Sequence, residues 1–297
     1  MEPLKFGAVR VYLGDKSGKY PDGNQVIVQG TDTRVAFDTP LSSLHVGADL
    51  DGVDAVILSH VHEDHTVSLG RLPHAAVQVH AADLAAVQSW DGLRRHYGYA
   101  EDVLDRLMPM VRAQFHFAPR PDATAYADGQ MWDLGGGVHI RAHHLPGHTS
   151  GHCALVVESE GVAFIGDIDL TGFGPYYGDA TSSLVQFQRS LERIKAIDAK
   201  VWVTSHHRGV LTGRVDFLHA LGRFASKIDE RSAKLIAYLR ERPHTLDELV
   251  ARRVLYPVGY ELVYVASAER RTILQHLAQL QAESAVALGT DGTYRLA

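Results

Sequence analysis

Asp54-Ala-Val-Ile-Leu58 runs directly into Ser59-His60-Val61-His62-Glu63-Asp64-His65. The first five residues are an apolar, β-branched run of strand length. Three histidines and an aspartate then follow at i, i+2, i+4 and i+5. A loop anchored at a strand end can aim such borderline ligands at one point, so the spacing predicts a metal site and not a scatter of surface imidazoles. The chain has 18 histidines in 297 residues and no histidine run longer than the pairs His143-His144 and His206-His207, so neither a tag nor a low-complexity tract explains them.

Three further clusters lie downstream. Leu145-Pro-Gly-His148-Thr-Ser-Gly-His152 sits between two predicted strands, Phe164-Ile-Gly-Asp167 ends one strand, and Val203-Thr-Ser-His206-His207 ends another. Each is weak alone, because a strand-end aspartate is commonly a turn residue. Short apolar or alternating runs predict strands at 6–13, 25–29, 34–37, 54–58, 76–80, 138–143, 154–158, 162–165 and 201–204. Helical spacing is clearest over 82–89, 100–108 and 182–197, and the helical stretch within 83–122 reads as an insertion that could be a lid or a dimer contact. Strands mixed with helices in this order predict an α/β layered architecture. Beyond about 212 the pattern changes to helix (215–240), a short helix opened by a Thr245/Glu248 capping box, a helix over 267–283 and a hairpin around Gly289-Thr-Asp-Gly292. That order resembles a winged helix, and it divides the chain into a catalytic part, 1–212, and a helical part, 213–297.

In that fixed order the clusters closely resemble the metallo-β-lactamase superfamily over roughly residues 5–210. Asp38, after Val35-Ala-Phe, matches the family's first motif, where the aspartate supports the site from behind the ligands. The resemblance implies a four-layer αβ/βα sandwich with two divalent transition-metal ions, Zn or else Fe or Mn, at one edge between two sheets. Carried over, His60, His62 and His148 hold one metal, Asp64, His65 and His206 the other, and Asp167 bridges them. His207 is the alternative to His206, which is preferred because the family's histidine follows a small residue just after the strand. Two such ions lower the pKa of a shared water toward neutrality, so a hydroxide nucleophile needs no separate base, with Asp64 and Asp167 as the carboxylates of the chemistry.

Departures within the family narrow the reaction. The best-known dizinc β-lactamases place cysteine where Asp167 stands, and Cys153 is 14 residues too early. Flavodiiron oxidoreductases carry Glu in place of His62 and need a flavin domain. The Pro-Gly-His-Thr-x-Gly-His wording looks most like the glyoxalase II, thioesterase and lactonase branch, implying hydrolysis of a small ester, thioester or lactone. Alternatives are a metal-dependent endoribonuclease or phosphodiesterase, a mononuclear-iron sulfur dioxygenase, and a non-catalytic regulatory protein. Nucleic acid is disfavoured: residues 1–207 carry 16 Lys and Arg against 25 Asp and Glu, and residues 208–297 only 13 against 10. Tyr176 and Tyr177, in the Gly/Pro loop after Asp167, are expected to line the acyl pocket and hydrogen-bond the carbonyl. Asp169 and His152 are expected to support the ligands. A single cysteine excludes an intrachain disulfide and a cysteine-based zinc finger. No apolar run is long enough to span a bilayer, and the N-terminus has no signal-like pattern, so a cytoplasmic enzyme with a small-molecule substrate is expected, as a monomer or homodimer.

Overall fold

A computed structural model describes all 297 residues. Seven strands follow one another in space as they do in sequence: β1 (Leu4–Phe6), β2 (Val9–Tyr12), β3 (Gln25–Gln29), β4 (Arg34–Phe37), β5 (Ala55–Ile57), β6 (Ala76–His80) and β7 (Thr124–Tyr126). A six-stranded sheet pairs β8 (Met131–Asp133), β9 (His139–His144), β10 (Cys153–Val157), β11 (Val162–Phe164), β12 (Val201–Val203) and β13 (Val210–Thr212) in the order β13-β12-β11-β10-β9-β8. Strands β4 to β7 are parallel, and so are β11 and β12.

The period of two along each strand builds the layers. Val26, Val28, Val35, Phe37 and Ile57 of the first sheet pack against Leu155, Phe164 and Val203 of the second. The alternate residues Ile27, Ala36 and Val56 face outward onto helices α1 (Leu84–Gln88), α2 (Trp90–Tyr97) and α3 (Glu101–Phe115). Ala154, Val156, Ala163 and Trp202 likewise face α4 (Leu184–Arg193) and the start of α5 (Arg214–Glu241). Trp202 stacks on Phe217 at 3.6 Å and 2°. Helices, sheet, sheet and helices make the four-layer αβ/βα sandwich.

Local differences from the sequence pattern have physical causes. The single strand predicted over 6–13 is a hairpin, β1 against β2, turned at Gly7-Ala8. The helix expected to stop before Pro109 continues to Phe115. Pro109 removes one internal hydrogen bond, to the carbonyl of exposed Asp105, which water can satisfy. Strands β7, β8 and β13 are three residues each and carry too little alternation to read. No helix is long and apolar enough to cross a membrane.

After α5 come α6 (Leu246–Arg252), α7 (Val265–Ala282) and the hairpin β14 (Val286–Leu288) with β15 (Tyr294–Leu296). The order helix, helix, helix, hairpin is present, but the division of cores falls inside α5 and not at 212. Phe217 to Ile228 pack with the second sheet, whereas Leu235 and Leu239 pack with Leu249, Ile273, Leu277 and Val286. The 28 residues of α5 therefore contribute to both cores as one continuous helix. Glu269 of α7, fully buried, accepts the backbone N–H groups of Val254, Leu255 and Tyr256 at 3.0, 2.9 and 2.6 Å and so fixes the segment after α6. Glu269→Ala would leave those donors unpaired, and a loss of about 3 kcal/mol is expected in urea unfolding, with Glu269→Gln recovering part of it.

Candidate metal centre

All four clusters converge at one edge of the sandwich, beyond the carboxyl ends of β4, β5, β11 and β12 and in the loop from β9 to β10. Two groups of ligand atoms each lie within 4.8 Å of one another: His60, His62, His148 and Asp167 in one, Asp64, His65 and His206 in the other. In the first, His62 Nδ1 is 3.0 Å from His148 Nε2, and Asp167 Oδ2 is 3.2 Å from His148 Nε2 and 3.9 Å from His60 Nε2. In the second, His206 Nε2 is 3.0 Å from Asp64 Oδ2 and 3.3 Å from His65 Nε2. Asp167 Oδ1 faces this group, 3.1 Å from His65 Nε2 and 3.6 Å from His206 Nε2. Ligand bonds of about 2.0–2.1 Å in a tetrahedron put neighbouring donor atoms about 3.3 Å apart, so these spacings suit a divalent ion on either side of Asp167. His60 Nε2 and Asp167 Oδ1 are buried without a hydrogen-bond partner, as expected of atoms whose partner is a metal.

The far side of each ring is held by the scaffold. Asp38 accepts Ser59 N–H and Ser59 Oγ–H, both at 2.6 Å, and lies 2.8 Å from His65 Nδ1. His62 Nε2 meets Asp179 Oδ2 at 2.8 Å, His148 Nδ1 meets the Tyr176 carbonyl at 3.0 Å, and His206 Nδ1 meets the Asp22 carbonyl at 2.7 Å. Such outer partners fix both ring orientation and which nitrogen is free to ligate. His152 supports Asp167: its Nε2 accepts the Asp167 N–H at 3.1 Å while Nδ1 faces the Leu145 carbonyl. Burial drives this ring down to about 3, which keeps it neutral and able to accept. Asp169 accepts the His206 N–H at 3.0 Å. Gly166 has φ +53, and a Cβ there would come within 2.5 Å of His152 Nε2. Gly147 has φ +135, and a Cβ would strike the Phe187 backbone at 2.3 Å. Neither position tolerates a side chain.

The cluster buries several carboxylates beside its imidazoles, and the two kinds of group shift one another. Burial lowers His60 well below its usual range, with His65 adding to the effect. Burial acts the same way on His62, yet the hydrogen bond and charge of Asp179 outweigh it and lift the ring to about 9. His206 rises to about 10 against burial, through Asp167 and Asp169. Asp167, although buried, is held well below the carboxylate range by His65 and His206. Protons or metal ions must offset this charge, so metal uptake here would release protons.

A cavity of about 370 Å³ opens over the cluster. Tyr176 lines it, with its hydroxyl 3.1 Å from Asp179 Oδ1 and 3.0 Å from the Tyr99 hydroxyl. Tyr177 does not join it. Fully buried, its hydroxyl accepts from Arg231 at 2.9 Å and meets His276 Nε2 at 2.8 Å. Consecutive residues of the loop project to opposite sides, so only one of the two faces the cavity, and Tyr177 serves the contact with α5 and α7. His206 lies in the cluster and His207 is exposed at the rim. The sequence reading missed Asp179, Glu63 as a half-buried partner of the Tyr20 and Tyr97 phenols, and Asp83. Asp83 accepts the Val61 N–H, the Thr149 hydroxyl and the Gly151 N–H at 3.2, 2.7 and 2.8 Å and joins the first motif to the second. Lone acids in loops carry no spacing signal. Only the apolar, Gly- and Pro-flanked setting of Asp179 could have drawn notice.

Residues 30–206 match the model of the metallo-beta-lactamase superfamily. A hydroxyacylglutathione hydrolase of Methylococcus capsulatus is 33% identical over 127 residues, 42% of this chain and 43% of that protein. An atrochrysone carboxyl ACP thioesterase of Aspergillus fumigatus is 26% identical over 157 residues, 52% of this chain and 38% of that protein. The chain thus spans under half the length of either relative. A solved metallo-beta-lactamase family protein from Thermus thermophilus superposes with a TM-score of 0.72 at 25% identity, covering 97% of this chain and 98% of that one. With the family model covering more than half of the sequence and the ligand series in its order, the chain belongs to the metallo-beta-lactamase superfamily.

Proposed function

We propose that the protein is a two-metal hydrolase of a small ester, thioester or lactone. The observation that carries this reading is one cavity whose floor is the double His/Asp cluster and whose walls are largely aromatic. His60, His62, His148 and Asp167 would hold one ion and Asp64, His65, His206 and Asp167 the other, a donor set that suits Zn, Fe or Mn. When bound, the ions supply an activated water and polarise a carbonyl oxygen.

The chain's own groups do the rest. Asp179 and Asp38 hold His62 and His65 so that Nδ1 of the first and Nε2 of the second point inward. Asp167 offers one carboxylate oxygen to each side, so a single side chain serves both ligand groups. The aromatic walls keep water off the acyl part of the substrate. Lys19 is the only lysine on the lining and no arginine is there, too little cationic charge to grip a phosphodiester backbone. Relatives that act on a thioester of glutathione or of a carrier protein, by their names, support acyl chemistry here.

The purified protein is expected to carry close to two transition-metal ions per chain by plasma emission spectrometry. Asp167→Ala should lower both metal content and thioester hydrolysis, and absence of metal under metal-replete conditions would sink the reading. Asp179→Asn, which keeps shape but weakens the hold on His62, should weaken metal binding about 10–100-fold in a chelator competition.

A further inference from the structure

Seven of the chain's 12 tyrosines line this one cavity. Tyr97 and Tyr99 come from the end of α2 and the turn after it, with rings 5.8 Å apart at 23°. Tyr97 also lies parallel to His62, at 5.8 Å and 3°. From the C-terminal part, Tyr256 and Tyr260 stack at 5.4 Å and 10°, and Tyr264 meets Tyr256 edge-on at 6.4 Å. The inner hydroxyls are already committed: Tyr20 and Tyr97 bond Glu63, and Tyr99 and Tyr176 bond Asp179. What these inner residues leave for a ligand is ring surface.

The outer pair sits at the mouth of the cavity, Tyr256 half-buried and Tyr260 exposed. Tyr260 is 42% exposed and Phe173, beside Tyr256 at 5.5 Å, is 41% exposed, both at the rim of the cavity. The backbone at Tyr256 is fixed, since Glu269 holds its N–H. Exposed Tyr260, stacked on half-buried Tyr256, leaves aromatic surface at the cavity mouth for something that covers it. An aliphatic chain would fill the space but forgo ring-to-ring contact, which is worth about two- to tenfold in affinity per pair.

We infer that the cavity is a slot for a flat aromatic acyl group, with Tyr97 and Tyr99 as its inner wall and Tyr256 and Tyr260 as its outer, specificity-determining wall. The inference rests on the acyl hydrolase reading for what is attached to the ring, and not for the ring itself.

Free carboxylic acids test it without turnover. Zinc-loaded protein is titrated calorimetrically with 2-naphthoate, octanoate and cyclohexanecarboxylate, whose common carboxylate makes the affinity ratios report the acyl part alone. The wild type should bind 2-naphthoate about tenfold tighter than either of the others, and Tyr256→Leu and Tyr260→Leu should each cut that ratio about threefold or more. Circular dichroism and zinc content establish that the variants are folded and loaded. Equal or reversed affinities in the wild type, or ratios untouched in both variants, overturn the slot. In parallel, hydrolysis of 2-naphthoyl and octanoyl N-acetylcysteamine thioesters separates the two readings. Aromatic preference in binding with no thioester turnover defeats the hydrolase and leaves the slot, whereas turnover with no aromatic preference does the reverse.

Discussion

One carboxylate facing two ways organises this molecule. Asp167 directs Oδ2 toward His148 and Oδ1 toward His65, so the two ligand groups share a side chain and cannot move independently. Its backbone is set by the end of β11, by Gly166 in a conformation closed to side chains, and by the N–H held on neutral His152. Three independent constraints thus act on one residue. Burying so much like charge in one place is costly, and the sandwich tolerates it only because every carboxylate in the group faces an imidazole or a backbone donor.

The sheets explain why the four motifs meet. Asp38, Ser59, Asp167 and His206 follow strands β4, β5, β11 and β12, which lie inside their sheets and not at an edge, and the two sheets are locked face to face by Val28, Phe37, Ile57, Leu155 and Phe164. Strand ends in a packed sheet vary little in position. Loops that begin there inherit that precision, and Asp83 and Asp38 then stitch loop to loop across sequence separations of 66 and 21 residues.

Legibility in the sequence follows the same division. The His60–His65 cluster, the strand-end Gly166-Asp167 and the paired histidines near 206 were readable because metal ligation demands particular residue types at short, fixed spacing, and the alternation of Val26, Val28 and Val35 with outward residues was readable because pleating imposes it. Asp179 was not readable. It acts through a hydrogen bond to His62 across 117 residues, and nothing local distinguishes it from a turn aspartate. Tyr176 and Tyr177 failed to separate for a related reason: which of two neighbours turns inward depends on Arg231 and His276, which arrive from remote helices. The division of cores within α5 was hidden because a continuous amphipathic helix shows no break where its partners change.

That continuity gives the C-terminal helices a part in the chemistry's surroundings. Arg231, buried on α5, donates to the carbonyls of Phe173 and Pro175 and to Tyr177, and the Tyr176 carbonyl next in line meets His148 Nδ1. From α7, Gln275 donates to the Tyr177 carbonyl and accepts the Leu184 N–H. The loop after Asp167 is therefore clamped from the C-terminal side by a guanidinium with no carboxylate partner, whose charge is met by carbonyl and phenol oxygens. A guanidinium buried in that way is stabilised only while the loop keeps its shape. The C-terminal helices consequently hold the metal-side wall and the outer aromatic wall of one cavity at once.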